Sequence, residues 1–360
     1  MSLKQKLNII FNPNAGNGRS EKARKIIEQI LQEKAITYEV FKSESEDKAK
    51  IILDGLLTNG QKNIIVIGGD GTFSAIVNSC NDPSQFVFGL IPSGTGNDFA
   101  KTLGISKNPK KALEHILSGK QCQVDYLQGT SRRAVNTVSA GIDIAIITKY
   151  ESYNQQKNKR TKGSYYKALL STMFKYKCEK FFVQKSDTIN FDASSFDNVK
   201  KQETITPVDD KNSQPNPNNQ DNLSNPPPYS YTEIDSNQTN ESNGYQMVGD
   251  REYFCVAVCN GQYFGSGMKV SPHSKLDDGI IHLVCIHSLR RLKILTSMLQ
   301  FLKGKHIKKS YCDEFLCQSV LVNKGEKMTV NYDGELKHNE PFCINIVKNG
   351  LNIFHNTNKV

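Results

Sequence analysis

A buried-looking strand that runs straight into glycines constrains this chain most. Ile64-Ile-Val-Ile-Gly-Gly-Asp-Gly-Thr-Phe-Ser74 gives an apolar run, two glycines, a carboxylate, a third glycine and a hydroxyl, with helix-forming residues after it. Glycines let backbone N–H groups approach a phosphate closely, and the N-terminus of the following helix adds partial positive charge. At the carboxyl end of a central strand, Asp70 takes the position where open α/β sheets bind ligands. The same pattern also suits a plain tight turn, so its neighbours must decide.

They repeat the design. Leu90-Ile-Pro-Ser-Gly-Thr-Gly-Asn-Asp-Phe-Ala100 is again strand, glycine loop and helix. Thr95 can offer a hydroxyl to phosphate, and Asn97 and Asp98 can cap the helix expected near Phe99. Leu7–Phe11, Tyr38–Phe41, Asn63–Ile67 and Phe86–Ile91 read as strands, separated by helical patterns such as Ala23, Ile26, Ile27, Ile30 and Leu31. This rhythm predicts a parallel sheet covered on both faces over residues 1–125. Two glycine loops on neighbouring strands then meet in one crevice. Neither a Walker A motif nor a His-Arg-Asp kinase signature occurs.

After Gln123-Val-Asp-Tyr126 the style changes. Strand-like runs at Ala134–Ala140, Arg251–Cys259, Gly279–Cys285, Ser319–Val322, Lys327–Asn331 and Phe342–Val347 lack regular helices between them. They predict a mostly antiparallel β-sandwich over 126–360, with helices only at Tyr165–Tyr176 and Leu289–Leu302. Six of the twelve prolines fall between Pro207 and Pro228 amid Asn, Gln, Ser and Asp. The stretch of about 186–247 is therefore expected to be a disordered insertion, too poor in apolar residues to fold.

Charge divides along the same lines. Asp187 to Asp250 holds eleven acidic and three basic residues, a balance of −8 against +10 for the chain, which leaves +18 on the rest. Such an excess suits a polyanionic partner or only a soluble basic surface. Lys149–Lys185 has ten Lys/Arg against two acids, and Arg290–Lys309 has seven and none. Leu292, Leu295, Leu299 and Leu302 would give the second segment an apolar helix face, fit either for an anionic membrane or for packing on the domain. No nucleic-acid module is recognisable. The nine cysteines contain no Cys-x-x-Cys pair, the histidines lack metal-ligand spacing, and the N-terminus has no apolar signal segment. A cytosolic protein with reduced thiols is the expectation.

Gly68-Gly-Asp-Gly-Thr72 together with Pro92-Ser-Gly-Thr-Gly-Asn-Asp-Phe-Ala100 resembles the diacylglycerol kinase catalytic-domain family, which includes bacterial lipid kinases, sphingosine kinases and ceramide kinases. Asn136-Thr-Val-Ser-Ala-Gly-Ile-Asp143, Val258-Cys-Asn-Gly261, Phe264-Gly-Ser-Gly267, Leu276-Asp-Asp-Gly-Ile280 and Tyr332-Asp-Gly-Glu335 extend the resemblance to nearly the whole chain outside the insertion. It implies an ATP site at Gly68, Gly69, Asp70, Gly71, Thr72, Phe73, Ser74, Thr95, Gly96 and Asn97, with Ser43 a weaker candidate. It implies Mg²⁺ on the Lys275 carbonyl, the Asp278 carboxylate and the Ile280 carbonyl, an oxygen-only set that suits this ion. As pure pattern, Asp277-Asp278-Gly279 also suits a hairpin turn.

By the same resemblance Glu335 accepts the proton of the acceptor hydroxyl, Asp333 supports it, and Asp70 acts on the phosphates. Asp70 is the alternative base, as proposed for sphingosine kinases. The expected activity is ATP- and Mg²⁺-dependent phosphorylation of a lipid hydroxyl, with diacylglycerol first, by a cytoplasmic protein that visits membranes peripherally; a homodimer stays open. The rivals are a sphingoid-base or ceramide kinase, an NAD kinase, whose usual Asn-Glu-Asp segment is not found here, and a catalytically silent lipid-binding protein.

Overall fold

The computed structural model describes residues 6–157, 162–173, 175–189, 245–287, 297, 300–323 and 327–355. Four parallel strands open the chain: β1 (Leu7–Phe11), β2 (Tyr38–Lys42), β3 (Asn63–Gly68) and β4 (Val87–Pro92), in the order β4-β3-β1-β2. Every residue of β1 and β3 is buried, as the largely apolar runs require when helices cover both faces. The helices between them are α1 (Arg19–Glu33), α2 (Glu46–Thr58) and α3 (Asp70–Ser79). Ala23, Ile27 and Leu31 of α1 recur at intervals of four and bury one face. Ser45 caps α2 by accepting the Lys48 N–H. Two further helices, α4 (Asp98–Thr102) and α5 (Pro109–Leu117), follow β4.

The second lobe is antiparallel. It comprises β5 (Gln121–Gln128), β6 (Arg133–Ala134), β7 (Thr137–Gly141), β8 (Glu179–Ser186), β9 (Gln246–Cys259), β10 (Ile281–His287), β11 (Cys312–Cys317), β12 (Ser319–Asn323), β13 (Met328–Tyr332), β14 (Glu335–Glu340) and β15 (Phe342–Phe354), with α6 (Ile142–Lys157) and α7 (Lys162–Met173) between β7 and β8. The main path is β14-β13-β7-β9-β8-β12-β15. Strand β15 also pairs antiparallel with β5, and its end, Asn352 and Ile353, pairs in parallel with Val87 and Phe88 of β4. The two lobes thus share a strand, and Leu351, Ile353 and Phe354 lie in the core of the first.

The architecture is the expected α/β domain plus sandwich, and three local expectations change. The single run Ala134–Ala140 is split into β6 and β7, because the Asp333 carboxylate takes the N–H groups of Val135, Asn136 and Thr137. Helix α6 follows β7 at Gly141, whose φ of 114° ends the strand where a Cβ would press on the Phe254 carbonyl. The helix expected at Tyr165–Tyr176 starts earlier and stops at Met173. The core of the expected insertion and most of the Leu289–Leu302 helix, including Leu292, Leu295 and Leu299, lie outside the described residues. The insertion's flanks do not: Lys185 pairs with Gln246, so it leaves from the tip of the β8–β9 hairpin.

Candidate active site

Three loops meet at the carboxyl ends of the parallel strands. Gly68 of β3 stands beside Pro92 of β4, and the Ser93 N–H donates to the Gly68 carbonyl at 2.8 Å. Beyond that point the loops touch at Gly69 and Gly94: a Cβ on Gly69 would lie 2.7 Å from the Gly94 Cα, so both positions need glycine. The loop after β1 closes in from the side. Ser20 and Ser93 share a hydroxyl hydrogen bond of 2.7 Å, and Arg19 spans from the Gly16 carbonyl (2.8 Å) to the Thr95 hydroxyl (3.3 Å). Ser43 sits at the end of β2, its N–H on the Phe11 carbonyl and its hydroxyl on the Ser45 carbonyl.

Asp70 begins α3, but its carboxylate serves the other loop. It accepts the Phe99 N–H at 3.1 Å and so caps α4, a task the sequence assigns to Asn97 and Asp98. Asn97 cannot do it: its φ is 55°, and its side chain is spent on the Gly94 N–H and carbonyl. Asp98, in turn, pairs with Lys101 at 2.6 Å and accepts the Ser266 N–H of the second lobe at 2.8 Å. The two carboxylates face each other across Gly96, where a Cβ would lie 2.9 Å from Asp70 Oδ2 and 3.5 Å from Asp98 Oδ2. Enclosure, then the charge of Asp98, pushes the Asp70 carboxyl up to about 6, and Asp333 adds to it. Phe73 and Ser74, two of the expected ATP contacts, turn inward. Phe73 stacks on Phe99 in the core, and the Ser74 hydroxyl is buried.

On the sandwich side, the Asp333-Gly334-Glu335 turn joins β13 to β14. Asp333 has a φ of 52° and receives N–H bonds of 2.7, 3.0 and 2.9 Å from Val135, Asn136 and Thr137. Burial pushes its carboxyl up to about 6, against the pull of those three N–H groups and of Arg132. Behind the turn, the Asn331 side chain accepts the Gly334 N–H and donates to the buried Asp143 and Ser139. Glu335 is half-exposed, with Oε2 2.5 Å from Arg132 and Oε1 2.8 Å from Lys337.

The Leu276–Ile280 loop belongs to different neighbours. Asp125 of β5 accepts the N–H groups of Gly279 and Asn349, both at 2.7 Å, and its own N–H donates to the Leu276 carbonyl. Asp278 accepts the Ile280 N–H at 3.0 Å. Lys275, Asp278 and Ile280 thus lie on one tight loop anchored on β5 and β15, and the glycine loops are not among these partners.

Sequence reasoning missed Asp98 as a cleft carboxylate, and Arg19, Lys101 and Arg132 as the cations nearby. Asp98 lay within the quoted motif but read as a cap; Arg19 opens α1 and Arg132 sits on a polar turn, and neither position carries a pattern.

Comparison with known proteins agrees with this fold. Residues 6–128 match the profile described as the diacylglycerol kinase catalytic domain, and residues 229–355 that of the YegS C-terminal NAD kinase beta sandwich-like domain. A diacylglycerol kinase of Staphylococcus carnosus is 23% identical over 92% of this chain and 89% of its own, and one of Bacillus subtilis is 25% identical over 91% and 88%. A solved structure of a diacylglycerol kinase from Bacillus anthracis superposes with a TM-score of 0.66, at 19% identity and 99% coverage of both chains. With a diacylglycerol kinase catalytic domain and a YegS-type sandwich matched in order, the chain is a lipid kinase of the diacylglycerol kinase type, a phosphotransferase.

Proposed function

We propose that this protein transfers the γ-phosphoryl group of ATP to a lipid hydroxyl, diacylglycerol before other acceptors. The observation that carries the reading is the Asp70–Asp98 pair facing across Gly96 at the meeting of three loops. Two carboxylates in one crevice, with Lys101 on Asp98 alone, leave negative charge that suits a divalent cation bound with nucleotide phosphates. Asp70 and Asp98 would hold Mg²⁺ there, and the ion neutralises phosphate charge when bound. A second Mg²⁺ fits the Lys275 carbonyl, Asp278 carboxylate and Ile280 carbonyl, since all three donors are hard oxygens on one loop.

The chain's own groups do the rest. Backbone N–H groups of the glycine loops and the Arg19 guanidinium, beside Thr95, receive phosphate oxygens. Glu335 accepts the proton of the lipid hydroxyl. Its carboxylate is half-open to solvent, and with two lone pairs per oxygen it keeps acceptor capacity beside Arg132 and Lys337. Asp70 is less suited, because its carboxylate is already committed to the Phe99 N–H. The acceptor arrives from an anionic membrane surface to which the basic segments are drawn; Leu170 and Leu302 are exposed near them. No helix among the described residues is long and apolar enough to cross a bilayer.

The two full-length relatives above are named diacylglycerol kinases, which supports that acceptor first. The NAD kinase-like description of the sandwich makes NAD the acceptor to exclude. A radiolabelled-ATP screen over diacylglycerol, sphingosine, ceramide and NAD, with and without Mg²⁺, tests the reading. Label in phosphatidic acid is expected; label in NADP alone, or none in any lipid, overturns it.

A further inference from the structure

Arg132 is a buried cation on the turn between β5 and β6, only 5% exposed, and it holds carboxylates from both lobes. Its Nη1 donates to Glu46 Oε2 at 3.1 Å and its Nη2 to Glu46 Oε1, a two-pronged grip. Nη2 also reaches Glu335 Oε2 at 2.5 Å. One guanidinium therefore uses its planar fork on Glu46 and holds Glu335 as an ion pair through the same Nη2, a division that a lysine ammonium cannot reproduce.

Glu46 is the first residue of α2, directly after the cap Ser45 and three residues from Ser43. Its carbonyl accepts the Ser79 hydroxyl of α3 at 3.0 Å, and the Ser43 hydroxyl donates to the Ser45 carbonyl. The other cation on Glu335, Lys337, is partly exposed on the same strand and fixes little by itself. Among the described residues, it is the buried guanidinium that ties Glu335 to the nucleotide-binding lobe.

We propose that Arg132 is a positioning residue: it sets the orientation of Glu335 through a clasp to Glu46, so that the order of the Ser43–Glu46 loop is felt at the proton acceptor. The inference rests on the reading of Glu335 as that acceptor. A small misplacement of a reacting group costs on the order of a hundredfold in rate, so the clasp acts on kcat rather than on binding.

The test is a cycle of variants assayed for kcat at saturating lipid, KM for ATP, and melting temperature. Arg132→Met is expected to lower kcat by roughly ten- to a hundredfold with KM for ATP little changed, and Arg132→Lys to recover part of that loss. Glu46→Gln, in the other lobe, should lower kcat in the same direction by a smaller factor. Combined with Arg132→Met it should add nothing, because it acts through the arginine. In a Glu335→Gln background, Arg132→Met should cause no further fall in kcat. Additive losses, an effect confined to KM, or a kcat that falls only as the folded fraction falls would overturn the clasp. If Arg132→Met does not fold, Glu46→Gln and Arg132→Lys, alone and with Glu335→Gln, give the same decision. Wild-type protein that phosphorylates no lipid overturns the kinase reading instead, an outcome separate from active wild type with insensitive variants.

Discussion

Asp333 offers the sharpest division between holding the fold and doing chemistry. Its carboxylate accepts three N–H groups from Val135, Asn136 and Thr137, all buried residues, while its own backbone is left-handed at φ 52°. Asp333→Ala strands all three donors. An unsatisfied buried N–H costs about 1–3 kcal/mol, and a non-glycine side chain without local hydrogen bonding in this backbone region about 1–2 kcal/mol more. Taking the low ends, because part of Asp333 faces solvent, gives about 4 kcal/mol. Removing an enclosed charge offsets some of it. For a chain of this size 1 kcal/mol shifts Tm by about 1–2 °C, so Asp333→Ala should melt roughly 3–8 °C below wild type. Asp333→Asn tolerates the left-handed backbone and keeps the Oδ1 bonds to Asn136 and Thr137, but meets the Val135 N–H with a donor. About 1–2 kcal/mol, or roughly 1–4 °C, is then lost. Calorimetry gives the two Tm values, and titration with ATP·Mg²⁺ gives affinity for each variant below its transition. If Asp333→Asn melts like wild type while its ATP·Mg²⁺ affinity collapses, Asp333 contacts the metal directly and the structural argument fails.

Glu335→Gln should lower kcat by about 10²–10⁴-fold and spare ATP affinity, whereas Asp70→Asn should weaken ATP·Mg²⁺ binding together with turnover; the reverse pattern makes Asp70 the base. Because enclosure and Asp98 raise the Asp70 carboxyl to about 6, ATP·Mg²⁺ affinity should fall as pH drops from 7.5 to 5, and titrations of Asp70→Asn should show a flatter profile. For the metal-free fold the sign is opposite: a carboxyl raised above its unfolded value favours folding at low pH, so its contribution declines as pH rises from about 4 to 6, visible as a Tm difference between wild type and Asp70→Asn. Binding to anionic liposomes should weaken between low and high salt, since exposed basic residues act within a Debye length; salt-independent binding would rule out the electrostatic account. Replacing residues 187–245 by a short glycine-containing turn should leave a cooperative melt and ATP-dependent activity, because Lys185 already pairs with Gln246; loss of the transition would count against it.

What the sequence disclosed, and what it hid, follows from the range of the interactions. Strands β1, β3 and β4 are buried on both faces, so their continuous Leu, Ile and Val runs were legible without a partner in view. Strand β14, Glu-Leu-Lys-His-Asn-Glu, lies at the edge of the main strand path with no buried residue and shows no pattern to read. Asp70 and Asp98 are 28 positions apart, yet their meeting was implicit once β3 and β4 were taken as parallel neighbours: Gly68 beside Pro92 places the two loops together. Asp333 was legible as part of a motif but not as the acceptor that interrupts the β6–β7 run, because its partners lie almost 200 residues earlier. Arg132 is the extreme case. In Ser-Arg-Arg it reads as any solvated turn, and only the folded chain puts Glu46 and Glu335 on either side of it.

The shared strand explains how such distant groups can serve one cleft. Glu46, Asp70 and Asp98 come from the parallel-sheet lobe, while Ser266, Asp333 and Glu335 come from the sandwich. Asp98 bonds the Ser266 N–H across the boundary, and Arg132 spans it between Glu46 and Glu335. Polar contacts such as these, and the Gln262 N–H on the Thr102 hydroxyl, contribute only about 0.5–3 kcal/mol each and leave the lobes some freedom to part. Strand β15 removes much of that freedom. It is paired through the sandwich with β12 and β5, then enters the first lobe beside β4 with Leu351, Ile353 and Phe354 fully buried. Separating the lobes would strip those side chains from the core, at about 1.5–3 kcal/mol each. The cleft therefore keeps its width from the apolar strand, and its polar contacts are free to set direction within it.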